Sequence, residues 1–387
     1  MTSAANRPDW DIFCAVVDNY GDIGVCWRLA RQLAAEHRLT VRLWVDDLAA
    51  FQALCPQIDA RHPPVQLIEG VEVRHWIADF PELVPAAVVI EAFACHVPER
   101  FSAAMALGQP PPVWINLEYL SAEDWVAGCH ALSSPHPRLP LTQYFFFPGF
   151  TARTGGLLRE RDLLARRDKF VASPARQAAF WQQMGGFSPS ADTLLVSLFA
   201  YENPAIADLL QIWEQAATPV CCLIPASRAL AQVAAYCGAP LKVGDCVQRG
   251  TLDIRVLPFV PQNDYDALLW ACDLNFVRGE DSFVRAQWAA KPMVWQLYPQ
   301  QEAAHKVKLD AFLNAYCLGL PEAVADSVRR FWYAWNFGSI TAAHWADFAG
   351  QLPKLRPHAA CWAVQLAEQE DLSSALLRFC RSKDNTV

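Results

Sequence analysis

Two carboxylates stand four residues apart in the run Asp18-Asn19-Tyr20-Gly21-Asp22-Ile23-Gly24, which follows one apolar segment and precedes a helical one. A turn between a strand and a helix lies at the carboxyl edge of a parallel sheet, where such folds bind their ligands. The run lacks the G-x-G-x-x-G spacing of a dinucleotide loop, and its two carboxylates would repel a pyrophosphate. They suit a cationic nucleophile, or a hydroxyl or guanidine that must be oriented and lose a proton. The same residues also fit a local role, with Asp22 capping the following helix and Asp18 or Asn19 shaping the turn.

A second constellation is Arg278-Gly279-Glu280-Asp281-Ser282, between an apolar run and a second helical segment. Gly279 permits a tight turn, backbone N–H groups at the helix start could hold a diphosphate, and Arg278 could add a bidentate contact. Glu280 and Asp281 fit poorly against phosphate, so at least one should face a sugar hydroxyl or its own backbone. Here too a local reading stands, with Asp281 or Ser282 as a cap and an Arg278–Glu280 ion pair. The stretch Pro258 to Asp266 turns through proline into a helix; Phe259 could stack on a base and Gln262 bond its edge, stacking of that kind being worth ~1–3 kcal/mol. Phe199 and Tyr201, at the end of another apolar run, could line the same pocket, or they and Phe259 could belong to the core.

Other residues offer less chemistry. The nine histidines show no metal spacing, and neither the G-x-S-x-G elbow nor the G-x-x-x-x-G-K-[S/T] phosphate loop occurs. Thr154-Gly155-Gly156 opens a charged helix and reads as a connector, or as an interdomain or acceptor-facing turn. Trp332, Trp335, Trp345 and Trp362 read as residues that lock domains together.

The elements that must position these groups alternate. Strands are expected at Ile12 to Val17, Val41 to Val45, Val65 to Ile68, Val71 to His75, Ala87 to Ile90 and Val113 to Leu117, with a helix from Val25 to His37. Gly185-Gly186 and the Ser/Pro segment after it mark a boundary. The pattern then restarts with strands at Leu194 to Phe199, Val220 to Ile224, Arg255 to Val260, Leu274 to Val277 and Val294 to Leu297, and closes in a helical tail. Continuous apolar strands separated by helices indicate parallel sheets covered on both faces. The expected architecture is α/β: a Rossmann-like domain over 1–175, with 357–387 packing back onto it, and a second over 190–350. Two such domains facing each other would form a cleft.

Composition narrows the class. The chain has 387 residues, 53% of them apolar, which suffices for two cores. With 40 acidic and 32 basic residues the net charge is −8, a poor match for nucleic acid and a better one for a cationic partner. No apolar window reaches membrane-span length, no signal-peptide pattern is present, and the 13 cysteines lack paired spacing. These features point to a soluble cytoplasmic protein with no nucleic-acid or membrane partner.

Taken together, DNYGDIG, IEAFAC (Ile90 to Cys95), NLEYLSAE (Asn116 to Glu123), TGGLLRERD, PFVPQNDYD and RGEDSFVRAQ resemble the bacterial elongation factor P arginine rhamnosyltransferases. The motifs run in order over most of residues 10–310. The resemblance implies a glycosyltransferase B fold of two facing Rossmann-like domains with a central cleft and a helical tail. It further implies inverting transfer of L-rhamnose from dTDP-β-L-rhamnose to an arginine of elongation factor P, without a metal or other cofactor. By position, Asp22 resembles the family's general base, Asp18 its partner carboxylate, and Glu280 a third residue needed for activity. Phe259, Gln262, Arg278, Asp281, Ser282, Phe199 and Tyr201 resemble its donor site, and Asn19, Tyr20 and Gly21 its substrate-contacting loop. A glycosyltransferase with another nucleotide sugar or a small-molecule acceptor, and a non-catalytic nucleotide-sugar binder, are the alternatives.

Overall fold

The computed structural model describes residues 7–18, 20–61, 64–298 and 304–383. Two compact units divide the chain: the residues up to Arg161 together with those from Ala367 onward, and Asp162–Leu366.

The first unit is built on β1 (Trp10–Cys14), β2 (Val41–Val45), β3 (Val65–Ile68), β4 (Val71–His75), β5 (Val88–Ala92), β6 (Val113–Leu117), β7 (Ser133–Pro135) and β8 (Thr142–Phe146). They form one sheet in the order β3-β4-β2-β1-β5-β6-β8-β7. Pairing is parallel except where β3 and β7 add at the two edges. Every residue of β1, β2 and β5 is buried, as a sheet covered on both faces requires. Under one face Phe13, Trp44, Phe80, Phe101 and Trp114 gather into a core with Val89, Met105 and Leu141.

β1 starts and ends earlier than its apolar run suggests. Asp11, its second residue and fully buried, accepts from Arg42 Nε (2.5 Å) and Nη2 (2.7 Å), from Trp44 Nε1 (3.0 Å) and from the N–H of Ala86 (2.8 Å). A buried charge with this many donors is tolerated inside a sheet. The strand therefore runs through Asp11, and Ala15, Val16 and Val17 are released into the loop that follows, with Val17 exposed.

The second unit holds β9 (Leu194–Leu198), β10 (Val220–Pro225), β11 (Cys246–Arg249), β12 (Leu252–Leu257), β13 (Leu274–Arg278) and β14 (Met293–Gln296), in the order β11-β12-β10-β9-β13-β14. Only the β11 edge is antiparallel. Its core is aromatic: Phe276 meets Trp213, Phe331 and Trp335, and Trp345 meets Trp213 and Phe331. Trp332, Trp335 and Trp345 of the tail are thus buried in the core of the second unit, and the half-buried Trp362 packs on Phe312 and Tyr316 there.

Both sheets are doubly wound about their first strand. β1 lies between β2 and β5, and β9 between β10 and β13. At such a point the connections leave in opposite directions, so the loops after the two central strands splay apart and open a crevice. The loops after β1 and β5, and those after β9 and β13, occupy these places.

Thr154-Gly155-Gly156 serves the fold. A Cβ on Gly155 would lie 2.3 Å from the Phe146 ring, and one on Gly156, at φ +70°, 2.2 Å from the Glu370 carbonyl. Arg159 donates to the carbonyls of Ala367 (2.6 Å) and Gln369 (3.1 Å). The turn clasps the segment leading into the last helix, Leu372–Lys383, whose Phe379 rests on Tyr144 and Phe146.

Candidate active site

The helix Gly21–His37 follows the loop after β1, with Asp22 in its first turn. Asp22 is 2% exposed, and its carboxylate turns away from the helix: Oδ2 accepts the N–H groups of Val17 (2.9 Å) and Asp18 (2.8 Å). The cap position belongs to Tyr20, which makes no side-chain capping hydrogen bond. Asp22 is therefore not a cap; its carboxylate ties the preceding loop instead. Its second oxygen, Oδ1, faces the Tyr119 hydroxyl at 3.3 Å. Burial holds the Asp22 carboxyl above its ordinary range and the nearby Asp46 adds to this, while the two N–H groups and Tyr119 oppose it.

Asp18 is half-buried, and its carbonyl accepts the Gly21 N–H at 2.7 Å. A Cβ on Gly21 would meet Asp18 Oδ2 at 2.7 Å, so an added methyl would push that carboxylate aside. Tyr20 and Gly21 are half-buried beside it, and Asn19 lies outside the described residues. Tyr119, beyond the end of β6, is stacked on Phe93 with centroids 4.4 Å apart and planes 19° apart. Phe93, Ala94 and His96, just after β5, all have φ between 53° and 56°. Left-handed backbone in non-glycine residues costs on the order of 1–3 kcal/mol each and clusters at functional sites. Both segments belong to motifs that stood out in the sequence, but nothing in their composition signals the backbone conformation or the pairing with Asp22.

In the second unit Arg278 closes β13 and is 4% exposed. Its guanidinium carbon lies 4.5 Å from the Phe199 ring centre and 4.4 Å from that of Tyr201. The two aromatics expected to wall a pocket therefore flank a cation, which holds the guanidinium at the turn. The Tyr201 N–H is fixed by Gln296 Oε1 at 2.9 Å. Gly279 makes the turn at φ +58°, and its carbonyl accepts the Trp295 indole N–H at 2.9 Å.

The helix Asp281–Ala289 begins with Glu280 at its cap position and no side-chain capping hydrogen bond from that residue. Ser282 does not cap either: its Oγ accepts the Arg278 N–H (3.0 Å) and donates to the Arg278 carbonyl (2.5 Å), closing the turn on itself. Asp281 accepts from Gln262 Nε2 at 3.1 Å, which orients the buried Gln262 amide. Phe259 is half-buried, and Glu280 likewise. Beneath the turn, Arg285 meets Asp266 in a bidentate pair of 2.8 and 2.6 Å, with both side chains 3% exposed or less. That pair joins the helix Gln262–Ala271 to the helix Asp281–Ala289 and was not legible as a contact in the sequence. The Phe199, Gln262, Arg278, Asp281 and Ser282 positions are thus one connected cluster, while Asp18, Tyr20, Gly21 and Asp22 form another in the first unit. Among the described residues no group of three or more His, Cys, Asp or Glu is placed to hold a metal ion.

Two doubly wound sheets with their polar clusters at the switch-point loops form the glycosyltransferase B fold. A glycosyltransferase from Rickettsia africae shares it at a TM-score of 0.53 over 98% of this chain and 100% of that one, with 8% identity. The family model "Elongation-Factor P (EF-P) rhamnosyltransferase EarP" matches residues 10–381, and the chain belongs to that family. It is 52% identical over 378 residues to a protein-arginine rhamnosyltransferase of Pseudomonas putida, covering 97% of this chain and 99% of the relative. It is also similar to a solved structure, "Structural basis for EarP-mediated arginine glycosylation of translation elongation factor EF-P", at 38% identity and a TM-score of 0.70 over 97% and 99% of the two chains. The chain is an enzyme of the glycosyltransferase class.

Proposed function

We propose that the enzyme transfers L-rhamnose from dTDP-β-L-rhamnose to an arginine side chain of translation elongation factor P, inverting the anomeric carbon. The observation that carries this reading is the Asp22 carboxylate, buried, with Oδ2 occupied by two backbone N–H groups and Oδ1 directed elsewhere. A protein that only bound a nucleotide sugar would have no use for it. Membership of the family supports elongation factor P as the acceptor and rhamnose as the sugar.

A guanidinium is protonated at neutral pH and nucleophilic only once a base draws its proton. In this reading Asp22 takes that proton on Oδ1, and Asp18 holds the cation in place. The bond from nitrogen to the anomeric carbon forms as the bond to the diphosphate oxygen breaks, and the pair of electrons leaves with dTDP. A carboxyl pushed above its ordinary range is a stronger base than a solvated aspartate, which favours the transfer. Arg278 and the first N–H groups of the helix Asp281–Ala289 neutralise the leaving diphosphate, so no metal is called for. Phe259 stacks on thymine, Gln262 meets its edge, and Glu280 serves the sugar. Tyr20, Gly21 and Asn19 line the acceptor side. The burial of eight of the thirteen free thiols as small apolar groups supports a cytoplasmic setting.

The test is intact-mass measurement of elongation factor P after incubation with the enzyme and dTDP-β-L-rhamnose. A gain of one deoxyhexose on arginine, abolished by Asp22→Asn while dTDP still binds, is the expected result. No gain with donor binding intact would move the acceptor to another molecule. Unchanged transfer by Asp22→Asn would remove Asp22 as the base.

A further inference from the structure

We propose that Tyr119, held by the ring of Phe93, is a positioning residue that fixes the reactive oxygen of Asp22. This rests on the reading of Asp22 as the base. The two Asp22 oxygens are engaged by different partners: the preceding loop takes Oδ2 through two backbone N–H groups, and Oδ1 sees the Tyr119 hydroxyl at 3.3 Å. A carboxylate oxygen offers two acceptor directions. The phenol fills one on Oδ1 and leaves the other for the incoming guanidinium, so rotation of the carboxylate is blocked at both ends.

Tyr119 in turn cannot swing away, because Phe93 covers its ring at 4.4 Å. Phe93 is itself pinned, its N–H donating to the Leu117 carbonyl at 2.7 Å with φ at 56°. The left-handed turn after β5 directs this ring onto a residue that follows β6. The loop after β5 sits beside the loop after β1 at the switch point of the first sheet, and Tyr119 reaches Asp22 from one strand further on. A strained backbone that delivers one aromatic ring onto the partner of a buried carboxylate has a reason to persist.

Among the described residues, the groups that act on Asp22 are the Asp18 N–H from its own loop, Asp46 after β2, Cys14 from β1, and Tyr119 after β6; Cys26, one turn along the helix, pairs with Cys14. Of these, Tyr119 alone donates a hydrogen bond to the carboxylate from a side chain. Removing the hydroxyl takes away support for the charged form, so the acid limb of activity should move to higher pH.

The experiment measures kcat and KM for dTDP-β-L-rhamnose across pH for the wild type, Tyr119→Phe, Phe93→Leu and Asp22→Asn, with elongation factor P as acceptor. For Tyr119→Phe we expect kcat on the pH plateau to fall about three- to tenfold, the loss of one ordinary hydrogen bond, with donor KM unchanged. Its acid limb in kcat/KM shifts to higher pH. Phe93→Leu, which keeps the hydroxyl and loses the stack, shifts the limb in the same direction by less. An acid limb for Tyr119→Phe that coincides with the wild type overturns the proposal, whatever the loss in kcat. If Asp22→Asn is inactive in that case, only the role of Tyr119 falls. If Asp22→Asn retains wild-type activity, the base assignment falls and the proposal with it.

Discussion

Arg278→Lys keeps a positive charge at the end of β13 and removes the flat, forked guanidinium. The native group lies 4.5 and 4.4 Å from two aromatic ring centres in a site 4% exposed, so both contacts are desolvated. Each such contact is worth ~1–2 kcal/mol, of which an ammonium recovers only a part. Against a diphosphate, a point charge in place of a fork gives up one charge-assisted hydrogen bond, ~1.5–3 kcal/mol. The stacking loss weakens the fold and the fork loss weakens the donor complex, so the two readouts separate. With part of the stacking loss carried into an ill-placed ammonium, donor binding should weaken by ~2–4 kcal/mol, about 30- to 700-fold. Calorimetric titration with dTDP gives the affinity, initial rates against donor at fixed acceptor give kcat/KM, and a thermal melt reports the fold. The affinity and kcat/KM should fall together, with acceptor KM unchanged. If dTDP affinity stays within about threefold of wild type while the melt drops by several degrees, Arg278 is a structural cation supporting Phe199 and Tyr201, and the diphosphate assignment is refuted.

Asp22→Asn should abolish transfer and stabilise the fold at neutral pH. The folded carboxyl holds its proton more tightly than the unfolded one, so the wild type loses stability as pH rises from the ordinary carboxylate range through the raised folded value. The gain in melting temperature of the variant over the wild type should therefore grow across that window and level off above it; a constant gain at every pH would refute the raised value. Gly21→Ala should lower kcat at least tenfold, about 1.4 kcal/mol, with a melt close to wild type, since the new methyl reaches Asp18 Oδ2 at 2.7 Å and moves the carboxylate; unchanged kcat would show Asp18 to be dispensable. Asp266→Ala leaves the Arg285 charge without its bidentate partner in a site 1% exposed and should cost ~3–5 kcal/mol. The Asp266→Leu, Arg285→Met double variant should melt higher than Asp266→Ala, and the reverse order would refute the account of the pair.

The two polar turns were legible in the sequence because each follows an apolar run, contains glycine and opens a helix. Their surroundings were not, and the reasons are physical. Asp11 looks like a polar flank until Arg42, 31 positions on, neutralises it across the sheet, so the start of β1 is decided by a tertiary contact. β7 and β11 are edge strands with half-exposed, largely polar residues, and β8 carries its pattern among prolines, so none presents the continuous apolar signal of a central strand. The capping alternatives for Asp22, Asp281 and Ser282 could be settled only by coordinates, since residue types near a helix start are the same whether they cap it or turn elsewhere. The left-handed Phe93 gives no sign at all, because phenylalanine is an uncommon choice for that backbone conformation.

The loop after β1 occupies the place where many doubly wound sheets hold a phosphate, and its chemistry is reversed by one side chain. A helix start attracts negative charge. Here the chain supplies that charge itself, with Asp22 in the first turn and its Oδ2 tied down by the loop. An outside anion is thereby discouraged and a cation is favoured. The turn after β13 also carries carboxylates, but Asp281 is turned onto Gln262, and Arg278 stands at the turn between Phe199 and Tyr201. On the proposed reading, Arg278 is the group of this turn that meets the donor's diphosphate. On the proposed reading the Asp22 carboxylate serves an acceptor that arrives as a cation, and the Arg278 guanidinium serves a leaving group that departs as an anion.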